Sequence, residues 1–169
     1  MRQRAVSHNP KTLIVQQLLA FLVAATVSAE LPKEAESHAI LRGQLKVSQH
    51  KFEKQKTGHV AFLGGSITAN AKGHSAMIPA WLEERYPDTK FTFTNAGISS
   101  TCSHTGAFRL IVDVLFKCQV DLLVVEFAVN DDQDAGHSRV HAIRGMEGVI
   151  RRLKAHNPGA DVLDHDHVG

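Results

Sequence analysis

Cysteine is scarce in this chain. Two residues, Cys102 and Cys118, among 169 cannot frame a disulfide-built scaffold. Sixteen positions separate them, and if Thr105 to Lys117 is helical, as the spacing below predicts, the rise alone sets them roughly 20 Å or more apart, beyond disulfide reach. No Lys/Arg cluster of the kind that tracks a phosphate backbone is present, which argues against nucleic acid as a partner. No glycine loop is followed by the Lys-Ser/Thr pair of a phosphate-binding P-loop. The longest apolar run, Leu13 to Val27, is short for a membrane span.

What is present is ordinary for a folded domain: 43% apolar and 21% charged residues do not suggest disorder. The N-terminus differs in kind. Arg2, Arg4 and Lys11 precede the apolar run, which ends in Val27-Ser28-Ala29, with small residues where a signal peptidase would cut. Residues 1–29 are therefore expected to be a secretory signal, giving an exported protein, periplasmic or secreted, with no stable membrane insertion after cleavage. An uncleaved anchor is the alternative. Cleavage would remove three basic side chains and no acidic one, moving the formal charge from +2 to −1. Residues 30–57 are rich in Lys, Glu, Gln, Ser and His and read as a linker or surface-packed lead-in; residues 58–169 read as the folded domain.

Within that domain short apolar runs alternate with amphipathic stretches. Val60 to Leu63, Phe91 to Thr94 and Leu122 to Phe127 read as buried strands. Helical periods lie between them: Met77, Trp81, Leu82 and Tyr86; then Phe108, Ile111, Val112, Leu115 and Phe116; then Val140, Ile143, Met146, Ile150 and Leu153. Strand and helix in alternation predict a parallel sheet with helices on both faces. A fourth strand begins at Ala160 to Leu163, whereas such a fold ordinarily needs about five strands, so the chain is expected to be cut off at its C-terminus.

In an open α/β sheet the site lies beyond the carboxyl ends of the strands. The loops there read Gly64-Gly65-Ser66-Ile67-Thr68, Asn95-Ala96-Gly97-Ile98-Ser99-Ser100 and Ala128-Val129-Asn130-Asp131-Asp132. A tight turn would lift the Ser66 hydroxyl out of the sheet at a helix start, which is a nucleophile's position. Gly97 can bring a bare N–H to a ligand, and Asn130 offers an amide NH2; with the Ser66 N–H these make a three-donor oxyanion site. Singly each signal is weak, since Gly-Gly-Ser is more often a plain turn and Asn-Asp a cap. The three together, each at a strand end, carry the argument. An α/β-hydrolase elbow is excluded, because Thr68 stands where its last glycine belongs.

The set resembles the SGNH (GDSL-type) hydrolase superfamily over about His59 to Pro158, with Ser66, Gly97 and Asn130 in its first three blocks. The spelling is similar to that of a bacterial exported branch often linked to carbohydrate esters. The resemblance implies a flavodoxin-like three-layer α/β/α sandwich, incomplete at the C-terminus. It also implies a serine esterase that cleaves a small-molecule or carbohydrate ester, such as an O-acetyl group, through an acyl-Ser66 intermediate, with neither metal nor organic cofactor. Oligomeric state is left open. Gly65 stands where the family often has Asp, and Ala128 where its third block usually begins with Gly.

The family draws its catalytic Asp and His from an Asp-x-x-His block near the C-terminus. Asp164 and His167 fit that spacing, but they come 34 residues after Asn130, directly on the fourth strand. His74, His104 and His137 follow catalytic-edge strands and are substitute candidates for the base, each with an equal reading as a loop or helix-end residue. The Asp/His-rich tail has the chemistry to hold a metal but is more simply a polar chain end. The alternative to an active esterase is an inactive fragment that at most binds an ester or glycan.

Overall fold

The computed structural model describes residues 45–164. Residues 1–29, expected as a signal peptide, and His167 lie outside the described residues. Helix α1 (Lys46–His50) continues as a π-helical turn over Lys51–Gln55. Strand β1 (Thr57–Gly64) leads to the one-turn helix α2 (Ser66–Ala69) and to α3 (His74–Arg85). After β2 (Lys90–Gly97), α4 (Ser103–Leu110) runs into a second π-helical turn at Ile111–Leu115. Then come β3 (Leu122–Glu126), a third such turn at Asn130–Asp134, α5 (Arg139–His156) and β4 (Asp161–Asp164).

The four strands form one parallel sheet in the order β2-β1-β3-β4. Each pair of consecutive strands is joined by a helical crossover, which is what parallel pairing requires. β1 and β3 are central, and a central parallel strand is covered on both faces, so Val60 to Leu63 and Leu122 to Val125 are continuous apolar runs. The period of two divides them. Val60, Phe62, Leu122 and Val124 pack with Phe52 and Leu82 on one face. Ala61, Leu63, Leu123 and Val125 pack with Leu110, Val114, Val149 and Leu153 on the other. Helices therefore cover both faces, as the α/β/α expectation required. Among the described residues no helix is long and apolar enough to cross a membrane.

The end of the lead-in segment is part of the domain. Phe52 is buried and meets the Phe91 ring edge-on at 4.9 Å. The Ser48 N–H and hydroxyl both donate to Asp161 Oδ2 at 2.8 Å. Asp121 is buried at the start of β3, where it accepts the His59 N–H at 2.9 Å and pairs with Lys51 Nζ at 2.5 Å. Cys102 and Cys118 are both free thiols.

The apolar faces of the helices follow the sequence expectation at Leu82, Leu115 and Leu153 and depart from it elsewhere. On α3 only Leu82 is fully buried, and Trp81 is 58% exposed. On α4 and its π turn, Phe108 and Phe116 are 75% and 76% exposed and Val112 is also outward, while Ala107, Leu110, Val114 and Leu115 face the core. On α5, Val149 and Leu153 are buried and Val140 and Ile143 are exposed. The reason is steric. Where α4 meets Phe127 its contact residue is Gly106, whose Cβ position would fall 2.4 Å from the ring. At that contact the inner face is therefore taken by Gly106 and Ala107, while Phe108 turns out.

Candidate functional site

Three loops meet at the carboxyl edge of the sheet. Ser66 is exposed at the first position of α2, and its backbone N–H is among those a helix start leaves without an intrahelical acceptor. Gly65 N–H donates to the Glu126 carbonyl at 3.3 Å, which ties the turn to the end of β3. The Gly64 carbonyl accepts from Ile98 N–H at 3.0 Å and from the Arg109 guanidinium at 2.9 Å. Arg109 in turn pairs with Asp113 at 2.9 Å, four residues along the same helix.

Asn130 is 1% exposed and packs directly on the Gly65-Ser66 turn. A Cβ placed on Gly65 would lie 1.8 Å from Asn130 Oδ1, so this side chain occupies the space that only a glycine leaves. Asn130 Nδ2 donates to Asp134 Oδ2 at 2.7 Å, which uses one amide hydrogen and leaves the second. Asn130 Oδ1 is buried without a hydrogen-bond partner among the described residues.

Gly97 approaches α2 from the other side, its Cβ position falling 2.3 Å from Ala69 N. Its N–H donates to Asn95 Oδ1 at 2.8 Å. Asn95 Nδ2 donates to the Thr68 carbonyl and to Ser75 Oγ, both at 3.0 Å. Asn95 thus joins β2, α2 and α3, a role that its place in the second motif did not disclose. Arg109 and Asp134 were likewise not singled out from the sequence. Arg109 had one available signal, an oppositely charged residue four positions later.

Asp164 ends β4, with its neighbour in the register being Val125 of β3. Two strand spacings separate it from β1, about 10 Å. It lines a mostly apolar groove of about 400 Å³ beside α3, together with Ile67, His74, Ile78, Val124 and Glu126. His74 Nε2 lies 3.4 Å from Thr68 Oγ1, and its ring is 6.0 Å from that of Phe62. Glu126 is 6% exposed, and neither of its carboxylate oxygens has a hydrogen-bond partner among the described residues. Among the described residues no side chain hydrogen-bonds Ser66 Oγ.

The two remaining candidate bases sit elsewhere on the same edge. His104 and His137 meet edge to face with ring centroids 5.3 Å apart. His137 Nδ1 lies 3.2 Å from Asp131 Oδ1, and the same oxygen accepts Ser103 N–H at 3.0 Å, so buried Asp131 caps the start of α4 from 28 residues away. Burial raises the Cys102 thiol above its ordinary range, and the adjacent Asp131 carboxylate adds to this.

A family described as GDSL-like lipases/acylhydrolases matches residues 62–169. Among solved structures, a two-domain esterase (CEX) active on acetylated mannans is similar at 30% identity and a TM-score of 0.62, over 71% of this chain and 33% of that one. TesA aligns at 24% identity and 0.55, over 63% of this chain and 58% of its own. AlinE4, an SGNH-hydrolase family esterase, aligns at 21% and 0.54, over 64% and 58%. At these identities the last two speak to the fold alone. The chain spans about a third of the length of the mannan-active esterase. No curated protein matches it.

Proposed function

The chain belongs to the family of GDSL-like lipases/acylhydrolases, and from that premise we propose that it carries the nucleophile and oxyanion site of a serine esterase, with Ser66 attacking the acyl carbon. The observation that carries this reading is the packing of Ser66's turn between the Asn130 side chain and Gly97. A serine hydroxyl exposed at a helix start, with amide donors from two other strand ends beside it, suits a reaction that develops negative charge on a carbonyl oxygen. The Ser66 N–H and the second Nδ2 hydrogen of Asn130 would hold the oxyanion. The Gly97 N–H would join them by sharing or releasing its bond to Asn95.

Water would then discharge the acyl-enzyme. The similarity to an esterase active on acetylated mannans supports an O-acetyl group on a carbohydrate as the substrate. The N-terminal apolar run supports an exported site of action. Asp164 and His167 are the candidate pair for the acid–base work.

Because no described side chain hydrogen-bonds Ser66 Oγ, one competing reading is a chain without a working base. Losing the base of a serine triad lowers turnover by on the order of 10⁶, so the two readings are far apart. The test is labelling of the folded chain with a fluorophosphonate probe, with Ser66→Ala as control. Labelling that disappears in the control and in His167→Gln supports the esterase with its base in the tail. Circular dichroism of a native fold without labelling leaves the inactive reading standing. In an active chain, Asn130→Ala should lower turnover by about 10²–10³.

A further inference from the structure

The carboxyl edge carries a second donor set that the ester chemistry does not use. Cys102 precedes α4, Asp131 lies in the π turn after β3, and His137 lies in the loop before α5. Their ligating atoms all fall within 4.8 Å of one another. The His137 Nδ1 to Asp131 Oδ1 separation is 3.2 Å. In a tetrahedral site with bonds of about 2.0–2.3 Å the donors stand roughly 3.3–3.8 Å apart, so the Asp131–His137 pair is close to that spacing and the thiol lies within 4.8 Å of both. Two more imidazoles adjoin it, His104 with its ring 5.3 Å and His141 with its ring 6.3 Å from that of His137.

We propose that Cys102, Asp131 and His137 bind a divalent cation of the zinc class, with His104 completing a four-donor set. Sulfur and imidazole donors select a borderline-soft metal over magnesium or calcium, which take oxygen ligands. Binding releases the thiol proton to solvent. A capping role for Asp131 alone explains its bond to Ser103 N–H but asks for neither the thiol nor the imidazole beside it. The donors come from two connections, Cys102 from the one between β2 and α4 and Asp131 with His137 from the one between β3 and α5, so the metal would clip these two together. Asp131 is adjacent to Asn130, so the clip would also restrain the turn that carries this oxyanion donor. It is a positioning site and requires no contact with substrate.

The test is a titration of the reduced, chelator-treated full chain with Co²⁺, read by its thiolate-to-metal absorption band, followed by displacement with Zn²⁺. The expected result is a saturable one-to-one band that Zn²⁺ abolishes. Cys102→Ser should eliminate the band, and His137→Gln should weaken binding by at least about tenfold. A His165→Gln/His167→Gln variant separates this site from the Asp/His tail and should leave the band unchanged. Zn²⁺ at a hundredfold excess over its Kd should raise Tm by on the order of 10 °C. Circular dichroism checks each variant, and if Cys102→Ser fails to fold, His137→Gln decides. Absence of saturable binding, binding without a thiolate band, or binding lost only in the tail variant overturns the proposal.

Discussion

Gly65 and Asn130 are a coupled pair, and the coupling can be measured without any catalytic activity. In the native packing a Cβ on residue 65 would sit 1.8 Å from Asn130 Oδ1 and 2.7 Å from its Cγ. A carbon and an oxygen that are not bonded stand more than 3 Å apart, so the side chain of Asn130 must swing away by more than an ångström. It is buried and donates to Asp134 at 2.7 Å, so the swing strains or breaks a bond to a charged acceptor. Overpacking a site of this kind costs about 1–3 kcal/mol, and a lost hydrogen bond to a charged group is of similar size. Gly65→Ala should therefore destabilise the fold by roughly 2–4 kcal/mol, a fall in Tm on the order of 10 °C. Asn130→Ala removes the obstacle. Introducing Gly65→Ala into the Asn130→Ala background should then cost little, and the cycle of single and double variants should give a coupling of at least about 1.5 kcal/mol. Thermal melts of the four proteins provide the measurement. Additive effects, or a Gly65→Ala protein as stable as the parent, would refute the claim that Asn130 fills the glycine's space. Because the family often has Asp at this position, Gly65→Asp is the sharper variant, and here it should be no better tolerated than Gly65→Ala.

Two further expectations concern stability. Burial lowers the His59 imidazole below its ordinary range, against the opposing pull of the Asp121 carboxylate, so the unfolded chain takes up this proton first; stability should fall as pH drops below about 6.5. Comparing the Tm change of parent and His59→Gln between about pH 7.5 and 5.5 checks this, and an equal change in both excludes His59 as a source. Asp121→Ala strands the His59 N–H and Lys51 Nζ at the start of β3 and should cost about 2–4 kcal/mol in urea unfolding; a loss under about 1 kcal/mol would show that solvent replaces the carboxylate.

How much of this was legible follows from where each signal resides in the chain. A central strand of a parallel sheet writes itself as an unbroken apolar run, because both of its faces are covered, and Val60 to Leu63 and Leu122 to Val125 are such runs. A tight turn from a strand into a helix needs small residues at fixed offsets, so Gly65 and Ser66 stand out without any tertiary knowledge. The helix faces were visible only in part: Leu82, Leu115 and Leu153 of the expected periods are buried. Hydrophobic periodicity marks the largest apolar side chains, yet close packing against Phe127 selects Gly106 and Ala107 for the inner face, and Phe108 points outward. Buried polar residues were hidden for a related reason: Asp121, Asn95 and Asp131 take their meaning from partners on other segments, and nothing within a local window distinguishes them from turn residues. Asn130-Asp131 illustrates the limit, because the two neighbours diverge completely once folded. Asn130 turns toward Gly65, while Asp131 turns toward Ser103, Cys102 and His137. The spacing of a motif shows that a polar pair sits at a strand end; which of its members faces the Gly65-Ser66 turn is decided by the loop that packs against it.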